Sequence, residues 1–164
     1  MICATVSSGA DRFAQPVIQT DAQPKSIIIS HTGNRPDKYV TGYELMVDSQ
    51  ELYISSLDLS GMLLASRFWE PELLRLTLNI NNHDVIFLAQ NRFVDIDGKG
   101  LLLRSPVFIH ENKMWIPMEA VTSIFPALTG QSVVWDRARG RLEYGTALYN
   151  VRSLNVENQN RVTF

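Results

Sequence analysis

Cysteine occurs once in the 164 residues, at Cys3, so no internal disulfide framework is possible. Only Met1 and Ile2 precede it, too few for the apolar core of a signal peptide, so Cys3 reads as a dispensable thiol and no signal peptide is visible. Long apolar runs are also missing. The longest, "VIFLA" from Val85 to Ala89, has strand length and falls far short of the roughly 18 residues of a membrane span. Basic excess is absent, with a net charge of -2 and scattered Lys and Arg, so no nucleic-acid footprint is expected. A phosphate-cradling glycine loop and a G-x-S-x-G elbow are both absent.

Histidine is scarce. His31, His83 and His110 are far apart and lack the helical spacing or cysteine support of a zinc set, so they read as turn histidines. "HENKM" begins like a zinc-protease helix, but Met114 stands where the second His belongs. "DIDGKG" (95–100) resembles part of a calcium loop, yet Arg104 falls where a bidentate Glu is required, which favours a hairpin turn. Glu70, Glu72, Glu119 and Asp136 could supply a carboxylate pair, but their spacing favours solvated surface charge. Trp69, Trp115 and Trp135 could form a stacking platform for sugars; the apolar strands around Trp115 and Trp135 favour core packing. No metal and no cofactor are expected.

What is present is ordinary for a soluble globular chain: 45% hydrophobic and 20% charged residues. Residues 1–37 are rich in Ser, Thr, Gln, Asp and Pro and read as a flexible leader, in which only "SIIIS" (26–30) could pair as a strand. From Lys38 the period is mostly two. "YELMV" and "ELYIS" form a hairpin, and "LLRLTLNI" (73–80) turns at "NNH" into "DVIFLA". "RFVDIDGKGLLL" turns at Gly98 and Gly100, and "VFIH" returns through Glu111-Asn112 as "KMWIP". "SVVWD" and "RLEYG" close the series around "RARG". Two segments change period. Leu59, Met62 and Leu63 predict a short helix capped by Ser55 or Ser56. Met118, Val121, Ile124, Phe125 and Leu128 predict another, entered at Pro117, broken or kinked at Pro126 and closed by Gly130. Two alternating segments in the tail stop in mid-strand at Phe164, as a fragment of a longer protein would.

The order "LYISSLDLSGML", "VDIDGKGLLLRSPVFIHENKMWIPMEAVTSIF", "VVWDRARGRLEYG" resembles the stalk domain related to the copper amine oxidase N-terminal domain. The matching positions are Val94, Asp97 and Gly98 in the hairpin, Asn112 to Glu119 with Pro117 at the strand-to-helix step, and Val134, Trp135 and Asp136 at the end. Met118-Glu119 stands where Leu-Arg is usual in that family, which leaves a surface role there unsupported. The resemblance covers about residues 51–145. It implies a non-catalytic α+β module: a curved antiparallel sheet of hairpins packed on one or two short helices. It also implies an extracytoplasmic place in bacteria, beside cell-wall enzymes such as N-acetylmuramoyl-L-alanine amidases, with neither copper site nor quinone.

The resulting expectation is a leader (1–37), a stalk-like domain (38–147) and the start of a further β-module or linker (148–164). The function expected is tethering to peptidoglycan or another envelope polymer on behalf of a downstream domain. Trp69, Tyr43 and Tyr53 are the residues to watch for glycan contact. A dimerisation or scaffold domain pairing through an edge such as "LLRLTLNI" is the alternative, and a small carboxylate hydrolase a more distant one.

Overall fold

The computed structural model describes residues 22–33, 35–45 and 51–146. The period-two segments become β1 (Ala22–His31), β2 (Lys38–Leu45), β3 (Glu51–Ser55), β4 (Ser66–Glu70), β5 (Arg75–Ile80), β6 (His83–Leu88), β7 (Phe93–Ile96), β8 (Lys99–Leu102), β9 (Phe108–His110), β10 (Lys113–Pro117), β11 (Gln131–Asp136) and β12 (Arg141–Thr146). The helical segments become α1 (Ser56–Leu63) and α2 (Met118–Thr129), with a short 3-10 turn at Pro71–Leu73. Three hairpins close on two-residue turns in the left-handed region: Asn81-Asn82, Asp97-Gly98 and Glu111-Asn112. That geometry matches the right-handed twist of the flanking strands. Gly100 is not a turn residue but part of β8, where a Cβ would meet the Phe93 ring at 1.8 Å.

The strands sort into two sheets. One has seven strands in the order β11-β12-β1-β2-β3-β10-β9; the other is a five-stranded meander, β4 to β8. All pairings are antiparallel except β1 with β12. The expected α+β class, one antiparallel sheet of hairpins on helices, is therefore corrected. Strands make up 57% and helices 19% of the structure, in two large sheets. The reason is that each sheet needs a cover for its apolar face. Two short helices cannot bury both, so the sheets supply much of each other's cover. One cluster joins Ile27, Ile54, Ile116 and Leu142 of the larger sheet to Leu76, Leu78, Val85 and Phe87 of the smaller, with Leu59 of α1 and Phe125 of α2. Each such side chain, fully buried, contributes about 1.5–3 kcal/mol.

β1 corrects the expected start of the fold near Lys38. Residues 22–31 lie inside the larger sheet, antiparallel to β2 and parallel to β12, with Ile27 and Ile29 in the core. Lys38–Leu45 and Glu51–Ser55 pair as expected, Tyr43 opposite Tyr53. The helix caps are legible too: Ser55 Oγ accepts from the Asp58 N–H at 3.1 Å and starts α1. Pro117 ends β10 and stands at the N-terminal boundary of α2, which runs through Pro126 to Thr129 rather than stopping there, and Gly130 closes it at a φ of 65°. The tail segments (149–164) and the turn at Asp48-Ser49 lie outside the described residues.

Candidate functional site

The site begins with a strand that leaves its sheet. β3 pairs with β2 only over Glu51–Tyr53 and with β10 only over Tyr53–Ser55. At Ser55 the chain turns into α1, because that hydroxyl accepts a helix N–H and donates to Asp58 Oδ2 at 2.7 Å. Beyond that point no described strand stands between Tyr39–Thr41 of β2 and Lys113 of β10. The result is a groove of about 440 Å³. Tyr39, Thr41 and Tyr43 form one wall, Lys113, Trp115 and Glu111 the other, and Ser55 and Asp58 the closed end. Gly42 keeps the junction tight: a Cβ there would sit 2.7 Å from the Tyr53 carbonyl oxygen.

An aromatic cluster backs the groove on the sheet face opposite the main core. Tyr53, Phe108 and Trp115 are buried there, with Tyr43 and Leu45 partly covered. Tyr43 meets Trp115 edge-on at 4.6 Å and His110 at 5.1 Å. The Trp115 indole N–H donates to the His110 carbonyl at 3.1 Å, which fixes the ring. Burial lifts the Tyr53 phenol to about 12; the nearby Glu51 and Glu119 carboxylates add to the rise and the Ser105 hydroxyl opposes it. A phenol held neutral in that way is no nucleophile near neutral pH. Asp58 is already engaged, by Lys38 Nζ at 2.9 Å and by Ser55. The groove thus offers rings, hydroxyls and the charged side chains of Lys113 and Glu111, while Asp58 at the closed end has structural work.

The second concentration of charge lies at the start of α2. Pro117 has no side chain to cap the helix, and Glu51 Oε1 accepts from the Glu119 N–H at 3.1 Å instead. Burial raises the Glu51 pKa above the usual carboxylate value, and the nearby Glu119 charge adds to it, against the helix N–H groups that hold the anion. Glu119 in turn accepts from the Arg104 N–H at 2.8 Å. This pair explains a helix start rather than a reaction.

The structure brings Tyr43 and Tyr53 together but leaves Trp69 apart. Tyr43 lines the groove. Tyr53 is 1% exposed and lies behind it, so it is withdrawn as a contact residue. Trp69 belongs to β4 of the other sheet and packs half-buried on the main core. Trp135 also packs on that core, and Asp136 Oδ1 accepts from the Arg139 N–H in the turn after β11. Asp97 Oδ1 accepts from the Asp84 N–H, its Oδ2 meets His83 Nδ1 at 2.6 Å, and Asp95 accepts from the Gly98 N–H. The calcium-like segment therefore spends Asp95 on its own hairpin and Asp97 on the start of β6. Among the described residues no group of His, Cys, Asp and Glu converges to hold a metal ion. Glu70 pairs with Arg75, away from Glu119 and Asp136, so the imagined carboxylate pair is not assembled.

Sequence reasoning missed Tyr39, Asp58 and Lys113. A signal existed for the first: Tyr39, Thr41 and Tyr43 alternate on one face of a strand, 70% exposed at Tyr39. No helix among the described residues is long and apolar enough to cross a membrane. No model of a known protein family matches the chain, and no curated protein matches it.

Proposed function

We propose that this domain is a non-catalytic binding and spacer module of a bacterial cell-envelope protein, the N-terminal part of a peptidoglycan amidase, working outside the cytoplasm. The motif resemblance supplies the family and its place. The observation that carries the binding role is the groove where β3 leaves the sheet: aromatic side chains in its walls, a polar closed end, and an Asp58 already held by Lys38 and Ser55. Such a site holds a polymer and keeps a neighbouring domain near it, which raises effective concentration without new chemistry. The test is cosedimentation of the full chain with purified peptidoglycan, with product release assayed in the same tubes. Sedimentation without product is expected. Tyr43→Ala should weaken it several-fold, as loss of one aromatic contact costs about 1 kcal/mol or more, while Trp69→Ala should leave it unchanged. Product release by the chain alone would overturn the reading.

One observation favours a scaffold as the second reading. The outer face of the smaller sheet exposes Phe68, Leu88, Phe93 and Leu102. β5 itself cannot serve as the expected pairing edge, because it lies between β4 and β6. A mass that rises with concentration in sedimentation equilibrium, lowered by Phe68→Ser, would support this alternative.

A further inference from the structure

We propose that the edge of β2 uncovered where β3 departs accepts an extended L-polypeptide segment as an added strand. The proposal rests on reading the groove as a binding site, but not on its polymer being peptidoglycan. Three consecutive residues of β2, Tyr39, Val40 and Thr41, line the groove, although the Val40 side chain is buried in the core. Neighbouring side chains of a strand point to opposite faces, so three in a row line a cavity only along the strand edge. Val40 therefore reaches the groove through its main chain, while Tyr39 and Thr41 present side chains as well.

The direction of those backbone groups follows from the registers. Ile28 N–H of β1 donates to the Gly140 carbonyl at 2.9 Å, toward β12. Backbone polar groups alternate sides along a strand, so Ile27 and Ile29 face β2. Ile27 lies opposite Val40, which turns the N–H and C=O of Val40 to β1 and those of Tyr39 and Thr41 to the groove. On the far wall, Lys113 opposite His110 closes a two-residue hairpin, so its groups face β9, and those of Met114 face β3 at the level of Ser56, one residue past the Trp115–Ser55 pair. β3 fits between the two walls at Tyr53, pairing with Tyr43 on one side and Pro117 on the other. The walls thus stand about two strand spacings apart, roughly 9–10 Å, at that point. An added strand meets main-chain donors and acceptors at Tyr39 and Thr41 on the β2 side, with Lys113 and Trp115 as the opposite wall. Alternate side chains of that strand fall among Tyr39, Tyr43 and Trp115. Backbone pairing reads main chain rather than sequence, so the site is tolerant of side chains.

The experiment uses the isotopically labelled full chain and a capped pentapeptide, acetyl-Thr-Val-Thr-Val-Thr-amide, at millimolar concentration. Amide exchange at Tyr39 and Thr41 should slow at least tenfold on addition, with Val40 unchanged. The same peptide N-methylated at its central amides should bind at least tenfold more weakly, since methylation removes donors and leaves side chains alone. Unchanged exchange at Tyr39 and Thr41, or equal binding of the methylated peptide, would overturn the proposal. Cosedimentation with peptidoglycan alongside separates the two readings. Polymer binding without a peptide effect sinks this inference and leaves the module reading standing. A peptide effect without polymer binding does the reverse.

Discussion

Ser55 and Ser56 are neighbours with opposite energetics. Ser55 caps α1 and also grips Asp58, so Ser55→Ala should lower stability by about 1 kcal/mol. Ser56 is fully buried, and its hydroxyl has no hydrogen-bond partner among the described residues. An unsatisfied buried hydroxyl costs about 1–3 kcal/mol, so Ser56→Ala should raise stability, by up to about 1 kcal/mol after the small void is counted. Urea midpoints of the two variants would move in opposite directions. Tyr53 supplies a pH test. Its phenol sits at about 12 when folded against an ordinary value of 10.0. A raised folded value means that the contribution is fully present below pH ~10 and is lost as the pH climbs through ~12. Stability measured from pH 9 to 12 should fall, and Tyr53→Phe should flatten its share of that fall. The serine cap was readable beforehand, because Ser, Ser and Asp precede a helical period. The burial of Tyr53 was not, because the residues that cover it, Phe108 and Trp115, come from a hairpin some 50 residues later.

At the scale of elements, α2 is the informative case. Its apolar period and its glycine stop were visible in sequence. Its N-terminal cap was not, since the acceptor comes from β3 and lies far away along the chain. Glu51→Ala should lower stability by about 1 kcal/mol through the lost cap. The pH dependence has the opposite sense to a salt-bridged carboxylate. Burial raises the folded value of Glu51, so the stability linked to its protonated form is present below the unfolded carboxylate range and lost as the pH rises through the raised folded value. Glu51→Gln keeps an acceptor oxygen and removes that titration, so its stability should exceed that of the Ala variant and vary less between pH 4 and pH 7. Denaturation curves at both pH values check this. Pro126 shows a limit of local rules. A proline removes one N–H and crowds the preceding turn, but here only one turn remains after it, and Phe125 on the buried face holds the helix to the core.

At the scale of the whole molecule, β1 decides whether there is a complete larger sheet. It bridges β12 and β2, so without it β11 and β12 lose their connection to the remaining strands. Ile27 and Ile29 leave with it, each removing a buried side chain from the core at a cost of about 2–5 kcal/mol. A chain beginning at Lys38 should therefore show collapsed amide dispersion in a two-dimensional spectrum, whereas the full chain should show dispersed strand amides. A well-dispersed spectrum from the shorter chain would contradict the role given to β1.

The sequence by itself determined the local elements. Strand alternation, the Asn-Asn and Asp-Gly turns, the Ser55 cap and the stop at Gly130 all follow from forces acting within a few residues. Only the tertiary structure decided which strands share a sheet, that Ala22–His31 belongs to the fold, and that a groove opens where β3 departs. Those outcomes depend on pairing between segments separated by tens or more than a hundred residues, as β1 with β12. Period two states that a segment has two faces, but it does not name the strand beside either edge. The candidate site lives on such edges, and so the Tyr39–Tyr43 face was within reach of the sequence, while Trp115 and Asp58 became its neighbours only through folding.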